Sequence, residues 1–414
     1  MFRKTWIAST TVTIIMATLL MVWATNATRF SFPATASEMQ NSVPTPTPPL
    51  KANDSALSAS PCVNALAQGA VCVAANKRAL EIMNASNLEA ITVVQDVQTG
   101  AVVAFAASEP SKLDVTTPVL PLSVSKVFMS ASWWDNNQPD SSFNSTKGSA
   151  ASKNPAYRNR VSVHEMLVGG SDSAGRQMAV ALRKSVGTKA VLKDLERYGF
   201  GQRTDLRQDD AFWGELAPTW KTRLTPAQAY VSLSDKTKEA EWVEILSIGE
   251  ANMSVTALHV SRFLQAVGNN GVMLTPVARE EQSVSSVTKS SASRRQLKNS
   301  IRIMQKSTAL RLQSAMRDTV QRGTAKSIAQ VLENTGWQTG GKTGSGPGPM
   351  PLSPESDGWF AGLIFDSQGK ARFTVATFVR HGGAGGGNAA KISAELARYI
   401  ISADVAVAVD SEKF

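Results

Sequence analysis

Pro121-Leu122-Ser123-Val124-Ser125-Lys126-Val127-Phe128-Met129 decides the reading of this 414-residue chain. Ser123 and Lys126 stand three residues apart. The stretch is expected to open a helix, where that spacing puts hydroxyl and amine on one face, a turn apart. A lysine so placed can act as base toward the serine once burial or a neighbouring cation lowers its pKa. Both residues are common, so the pair alone reads first as two positions on a solvated helix face. Two later stretches give it weight. Gly170-Ser171-Asp172-Ser173-Ala174-Gly175 follows the helix-like run Val163-His164-Glu165-Met166-Leu167. Gly341-Lys342-Thr343-Gly344-Ser345-Gly346 follows Trp337 and precedes the strand-like Trp359-Phe360-Ala361-Gly362-Leu363-Ile364-Phe365.

Ser-x-x-Lys, then Ser-Asp-Asn, then Lys-Thr-Gly is the three-part signature of penicillin-binding proteins and serine β-lactamases. The chain resembles that family. The first and third parts match, and the middle one departs, because Ser173 stands where the family has Asn. Three further stretches carry the resemblance. Thr99-Gly100, between two β-branched runs from Ile91 to Phe105, signals a hairpin and resembles the first hairpin of the transpeptidase domain. Ser247 to Pro276 resembles a glycine-containing loop leading into a long helix, ended by an Asn-Gly turn and a proline. Met316 to Ala325 resembles the segment upstream of Lys-Thr-Gly. The likeness runs from about Ile91 to Ile401, nearly all of the globular part.

The N-terminus sets the expected compartment. Met1-Phe2-Arg3-Lys4 is basic, and Trp6 to Ala24 carries no charge. That length suits a membrane-spanning helix better than a cleaved signal core. The basic residues would keep the N-terminus in the cytoplasm. The expectation is a single-pass membrane protein with its catalytic domain in the periplasm. Cleavage near Thr25-Asn26-Ala27, giving a secreted protein, is the alternative. Phe30 to Ser60 is polar, with Pro44, Pro46, Pro48 and Pro49 close together, and reads as a tether. Three parts follow: an anchor or signal segment at 1–27, a linker at 28–60 and a transpeptidase-like domain at 61–414. Cys62 and Cys72 are either a disulfide, which export permits, or two unpaired core thiols.

With 43% hydrophobic residues the chain can bury a sizeable core. Its 43 basic and 33 acidic residues give a formal charge of +10. The basic residues are scattered, in runs no longer than pairs such as Arg294-Arg295, so nucleic acid is not an expected partner. Ser283 to Lys298 reads as an exposed loop. The glycines from Gly382 to Gly387 read as a flexible loop, and Ala389 to Ile400 as a closing amphipathic helix. Gly358–Phe365 and Arg372–Arg380 read as strands around an Asp366-Ser367-Gln368-Gly369 turn. Two strands early, three late and helices between them give an α+β fold. The expected architecture is an antiparallel sheet flanked by helices plus an all-helical subdomain, with the active site between the two.

The resemblance implies acyl transfer through a serine ester. Ser123 is the nucleophile and Lys126 its base, Ser171 relays a proton to the leaving amine, and Lys342 keeps the site cationic. Thr343 and Ser345 hold a substrate carboxylate, and Gly344 lets the strand lie close to substrate. Backbone N–H groups of Ser123 and Ser345 form the oxyanion hole. Ser173, in the place of the substrate-contacting Asn, is shorter and offers one hydroxyl. No metal or cofactor is expected. The implied partners are peptidoglycan stem peptides, β-lactams, the membrane through the N-terminal segment and cell-wall synthesis proteins. The implied activity is that of a D,D-transpeptidase. A D,D-carboxypeptidase or β-lactamase on the same scaffold, or a catalytically weak scaffold or sensor, is the alternative. No Glu-x-x-Leu-Asn deacylation string follows the second motif; Glu215-Leu216-Ala217-Pro218 does not match it. A Ser-His-Asp triad is the rival scheme, but no Gly-x-Ser-x-Gly accompanies His164, His259 or His381. Packing or exposure is the expected role of His164 and His259, and a substrate contact is a candidate role for His381. Glu165 and Asp172 are also candidates for acid/base work, although helix-surface and capping roles are commoner for such residues.

Overall fold

The computed structural model describes residues 69–108, 117–145, 159–202, 230–231, 239–250, 253–278, 300–347 and 356–411, with Cys62, Ala65 and Leu113. The expected anchor and linker (1–60), the loop at 283–298 and Glu215–Pro218 lie outside the described residues. Among the described residues, no helix is long and apolar enough to cross a membrane.

Helix α1 (Val73–Ala85) opens on Cys72, whose sulfur accepts from the Ala75 N–H at 3.3 Å. The same sulfur is bonded to Cys62, so the thiols pair, with their Cα atoms 5.3 Å apart. Strands β1 (Glu89–Asp96) and β2 (Val102–Ala107) form the expected hairpin. Its turn is held by the Asp96 carboxylate, which accepts from the N–H groups of Gln98 and Thr99 at 2.8 and 2.7 Å. Gly100 takes the positive φ (+72°) that closes the turn.

The middle of the chain is mostly helical. A 3₁₀ turn (Leu122–Val124) runs into α2 (Ser125–Asp135). The short strands β3 (Ser142–Asn144) and β4 (Arg160–Ser162) pair antiparallel. Then come α3 (Val163–Gly169), α4 (Asp172–Val186) and α5 (Thr188–Arg197). Strands β5 (Gly201–Gln202), β6 (Tyr230–Val231) and β7 (Met253–Ser254) form a small sheet, with α6 (Glu239–Ile248) between the last two in sequence. After α7 (Ala257–Gly268), the strands β8 (Val272–Leu274) and β9 (Ser300–Arg302) pair, and α8 (Lys306–Gln321) follows. Helix α7 is buried on nearly every face, as its apolar sequence requires.

The chain ends with β10 (Gln338–Pro347), β11 (Ser356–Phe365), β12 (Ala371–Arg380) and α9 (Asn388–Ser411). The main sheet has the order β10-β11-β12-β1-β2, antiparallel throughout. Its two early and three late strands meet where β1 pairs with β12, so the expected α+β arrangement is present. Side chains alternate across the pleat. Val93 joins the core shared with α2 and α7, while Val94 joins the core under α1 and α9. Strand β10, carrying Lys-Thr-Gly, lies at the edge of the sheet.

The glycine run 382–387 is not the free loop its composition suggests. A side chain at Gly385 would put its Cβ 2.1 Å from the Trp359 carbonyl oxygen and 2.3 Å from that of Gly344. Gly385 is there for close approach to β10 and β11, which a bulkier residue forbids.

Candidate active site

Ser123 sits in the 3₁₀ turn, and that turn is anchored by its neighbours. The Leu122 N–H donates to the Gly249 carbonyl at 3.0 Å. The Trp359 indole N–H donates to the Leu120 carbonyl at 2.9 Å, and the Ser125 hydroxyl to that of Ser247, also at 2.9 Å. Leu122 holds φ +52°, a conformation that a branched side chain keeps only when its surroundings enforce it. Ser123 itself stays partly exposed between the buried Leu122 and Val124.

Lys126, one turn on, is fully buried. Its Nζ lies 2.6 Å from Ser123 Oγ and 2.5 Å from Asp172 Oδ1. Burial pulls its pKa down, and the Asp172 carboxylate opposes that shift. Ser171 caps α4, its hydroxyl accepting from the Ala174 N–H at 3.3 Å. The same hydroxyl is 3.3 Å from Ser173 Oγ. Ser173 in turn donates to the main-chain carbonyl of Asn144 at 2.9 Å, on β3.

Lys342 reaches the site from β10 and is also buried. Its amine donates to the Thr343 carbonyl at 2.8 Å. A Cβ at Gly170 would stand 3.7 Å from Lys342 Nζ, so this amine lies beside the turn that carries Ser171. Burial, and then the charge of Lys126, lower the Lys342 pKa from 10.5 to about 7. Two buried ammonium groups that repel each other are not both charged at low cost. Gly344 lets β10 close on the nucleophile turn: a Cβ there would stand 3.2 Å from Leu122 Cβ and 3.3 Å from the Pro121 carbonyl oxygen. Thr343 Oγ1 is 2.6 Å from Thr324 Oγ1, and Ser345 Oγ accepts from the Gly385 N–H at 2.9 Å.

The structure thus brings Ser123, Lys126, Ser171 and Lys342 into one region, with Thr343, Gly344 and Ser345 along its β10 wall. Two participants carry less weight in the sequence than their geometry warrants. Asp172, an acid/base candidate for which capping is the commoner expectation, contacts Lys126 directly. Thr324 bonds the hydroxyl of Thr343, and its only signal was the Gly323-Thr324-Ala325 string. Of the histidines, His164 and His259 fall elsewhere, while His381 lies beside Asp357, which pairs with Gly346 of β10. His164 Nε2 lies 2.8 Å from Asp318, beside an Arg322 that also holds Glu165. His259 is buried against Thr256, its Nδ1 2.7 Å from the hydroxyl. The His381 N–H donates to Asp357 at 3.0 Å, on β11. Among the described residues, no group of three or more His, Cys, Asp or Glu is placed to hold a metal ion.

Known proteins share this fold. Residues 90–402 match the model of the penicillin binding protein transpeptidase domain. No curated protein sequence matches the chain significantly. Solved structures do. A peptidoglycan glycosyltransferase from Burkholderia ambifaria superposes with a TM-score of 0.58 at 17% identity, covering 81% of this chain and 95% of that one. PBPA from Mycobacterium tuberculosis gives 0.58 at 15%, covering 80% and 79%. The D,D-transpeptidase domain of a peptidoglycan glycosyltransferase from Eggerthella lenta gives 0.57 at 18%, covering 79% and 80%. At these identities the superpositions establish the fold. The family match spans both ends of the main sheet and all three motifs, and by it the chain belongs to the penicillin-binding protein transpeptidase domain family.

Proposed function

We propose that the chain is a serine D,D-transpeptidase that cross-links peptidoglycan stem peptides and is acylated by β-lactams. The observation that carries this reading is the 2.6 Å approach of the buried Lys126 amine to Ser123 Oγ. A buried amine beside a hydroxyl is a base for it, because burial disfavours the charged form. Ser123 attacks the carbonyl of the penultimate D-Ala, the terminal D-Ala leaves, and an amine releases the acyl group. Lys126 takes the Ser123 proton and Ser171 passes it toward the leaving amine. Lys342 offers positive charge to the substrate carboxylate, which Thr343 and Ser345 hydrogen-bond. The N–H groups of Ser123 and Ser345 receive the oxyanion. Two superposing structures from M. tuberculosis are described as complexes with β-lactams: PBP3 with aztreonam, and PBPA as a ceftriaxone acyl-enzyme. That chemistry agrees with this reading of Ser123. The uncharged stretch 6–24 would anchor the domain at the periplasmic face of the membrane.

The test is a stem peptide ending in D-Ala-D-Ala, supplied with an acceptor amine. Release of D-Ala together with a transfer product that grows with acceptor concentration supports the transpeptidase. Release of D-Ala with hydrolysis alone assigns a carboxypeptidase instead. Absence of both products contradicts the enzymatic reading.

A further inference from the structure

Three consecutive residues open α4, and they point to different partners. Ser171 caps the helix. Ser173 turns to the Asn144 carbonyl. Asp172, between them, reaches Lys126 at 2.5 Å. The rest of α4 is shaped for that contact. A Cβ at Gly175 would stand 3.1 Å from Lys126 Cε and 3.7 Å from both Cδ and Cγ. The lysine stem therefore lies along the glycine face of the helix, with its amine delivered to the Asp172 carboxylate and to Ser123. Lys126 is fully buried, whereas the Asp172 side chain is 56% exposed, so the carboxylate links a dry amine to solvent.

We infer that Asp172 is the positioning residue of this site: its carboxylate holds the Lys126 amine against Ser123 and stabilises the ammonium formed when that amine takes the serine proton. The inference rests on the acyl-transfer reading above and deepens it. Lys126 must first be neutral, and its resting proton leaves to water past the exposed carboxylate. The Ser123 proton then moves to Nζ as the bond from Oγ to the acyl carbon forms. Asp172 faces the new cation, as the aspartate of a catalytic triad faces its imidazolium. The bond from the acyl carbon to the leaving nitrogen breaks, and the proton ends on that nitrogen. The charged groups facing Lys126 are Asp172 on α4 and Lys342 on β10, with Arg176 and Glu250 further out. Arg176 and Glu250 lie 3.8 Å apart and largely offset each other. Asp172 is therefore the principal charge opposing Lys342 at this amine. It occupies the functional place that Ser173, turned to Asn144, does not fill.

The test compares wild type, Asp172→Asn and Asp172→Ala by two readouts across pH. One is the acylation rate with a fluorescent penicillin. The other is the carbon-13 Cε resonance of Lys126, assigned with Lys126→Arg. Asn keeps the shape and removes the charge. It should lower the limiting rate roughly ten-fold and move the acid limb of the profile down by about one pH unit, with the Lys126 resonance shifting in step. Ala also removes the hydrogen-bond acceptor and should cost a further several-fold at every pH. Wild-type acylation with an Asp172→Asn profile superposed on it overturns the inference and leaves the acyl-transfer reading intact. If wild type is not acylated at any pH, that reading fails and the resonance decides. A Lys126 titration moved by Asp172→Asn upholds the contact, and an unmoved one overturns it.

Discussion

Leu122 donates its main-chain N–H to the carbonyl of Gly249 at 3.0 Å, and a Cβ on Gly249 would lie 2.2 Å from the Leu122 carbonyl oxygen. The nucleophile turn and the loop after α6 are therefore in direct backbone contact, with no room for a methyl group. Gly249 also holds φ +70°. Gly249→Ala combines backbone strain with a clash at the residue before Ser123. It should destabilise the fold by about 2 kcal/mol or more and slow penicillin acylation at least ten-fold. Urea unfolding checks the first effect and labelling kinetics the second.

Lys342 is expected to trade stability for chemistry. The unfolded lysine takes up its proton as pH falls below 10.5, the folded one only near 7. Across that window the unfolded state binds more protons, so this group's contribution to stability falls as pH falls from 10.5 to about 7. Lys342→Met removes the penalty while keeping the apolar length. It should stabilise the protein by on the order of 2–4 kcal/mol at pH 7, a gain that vanishes toward pH 10.5, and it should abolish acylation. Unfolding midpoints of both proteins at pH 7 and pH 10 check this.

His259 gives an acid counterpart. Burial, and then the charge of Arg262, hold its pKa near 3, against 6.5 unfolded. Between those values only the unfolded state carries the extra proton, so stability falls as pH drops from 6.5 toward 3. The slope from this residue is at most about 1.4 kcal/mol per pH unit. His259→Leu should flatten it, even at some cost in stability at pH 7. Denaturant midpoints at pH 4 and pH 7 report the difference.

Much of this was legible in the sequence because the signals are contiguous. Lys342-Thr343-Gly344 is an unbroken string on one strand. Ser123 and Lys126 lie a turn apart, and Thr99-Gly100 marks its own hairpin. Strand-like runs around turn signals pointed to two early and three late strands for one sheet. What stayed hidden depends on which way a side chain turns. Ser171, Asp172 and Ser173 are neighbours at a helix start, where successive residues point about 100° apart. Only the packing of α4 on α2 selects Asp172 to face Lys126. The glycines at 382–387 look like freedom in one dimension, yet Gly385 is required by the backbones of Gly344 and Trp359. The cysteine count left pairing open until Cys62 and Cys72 were placed side by side.

Acylation of Ser123, activated by Lys126, is what the proposed chemistry requires above all. Its most direct measurement is intact mass after incubation with a fluorescent penicillin, wild type beside Ser123→Ala, followed over time. Wild type should gain one stable adduct, mapped by peptide digestion to Ser123, and Ser123→Ala none. An adduct that persists in Ser123→Ala, or a wild type that never gains mass, would contradict that chemistry.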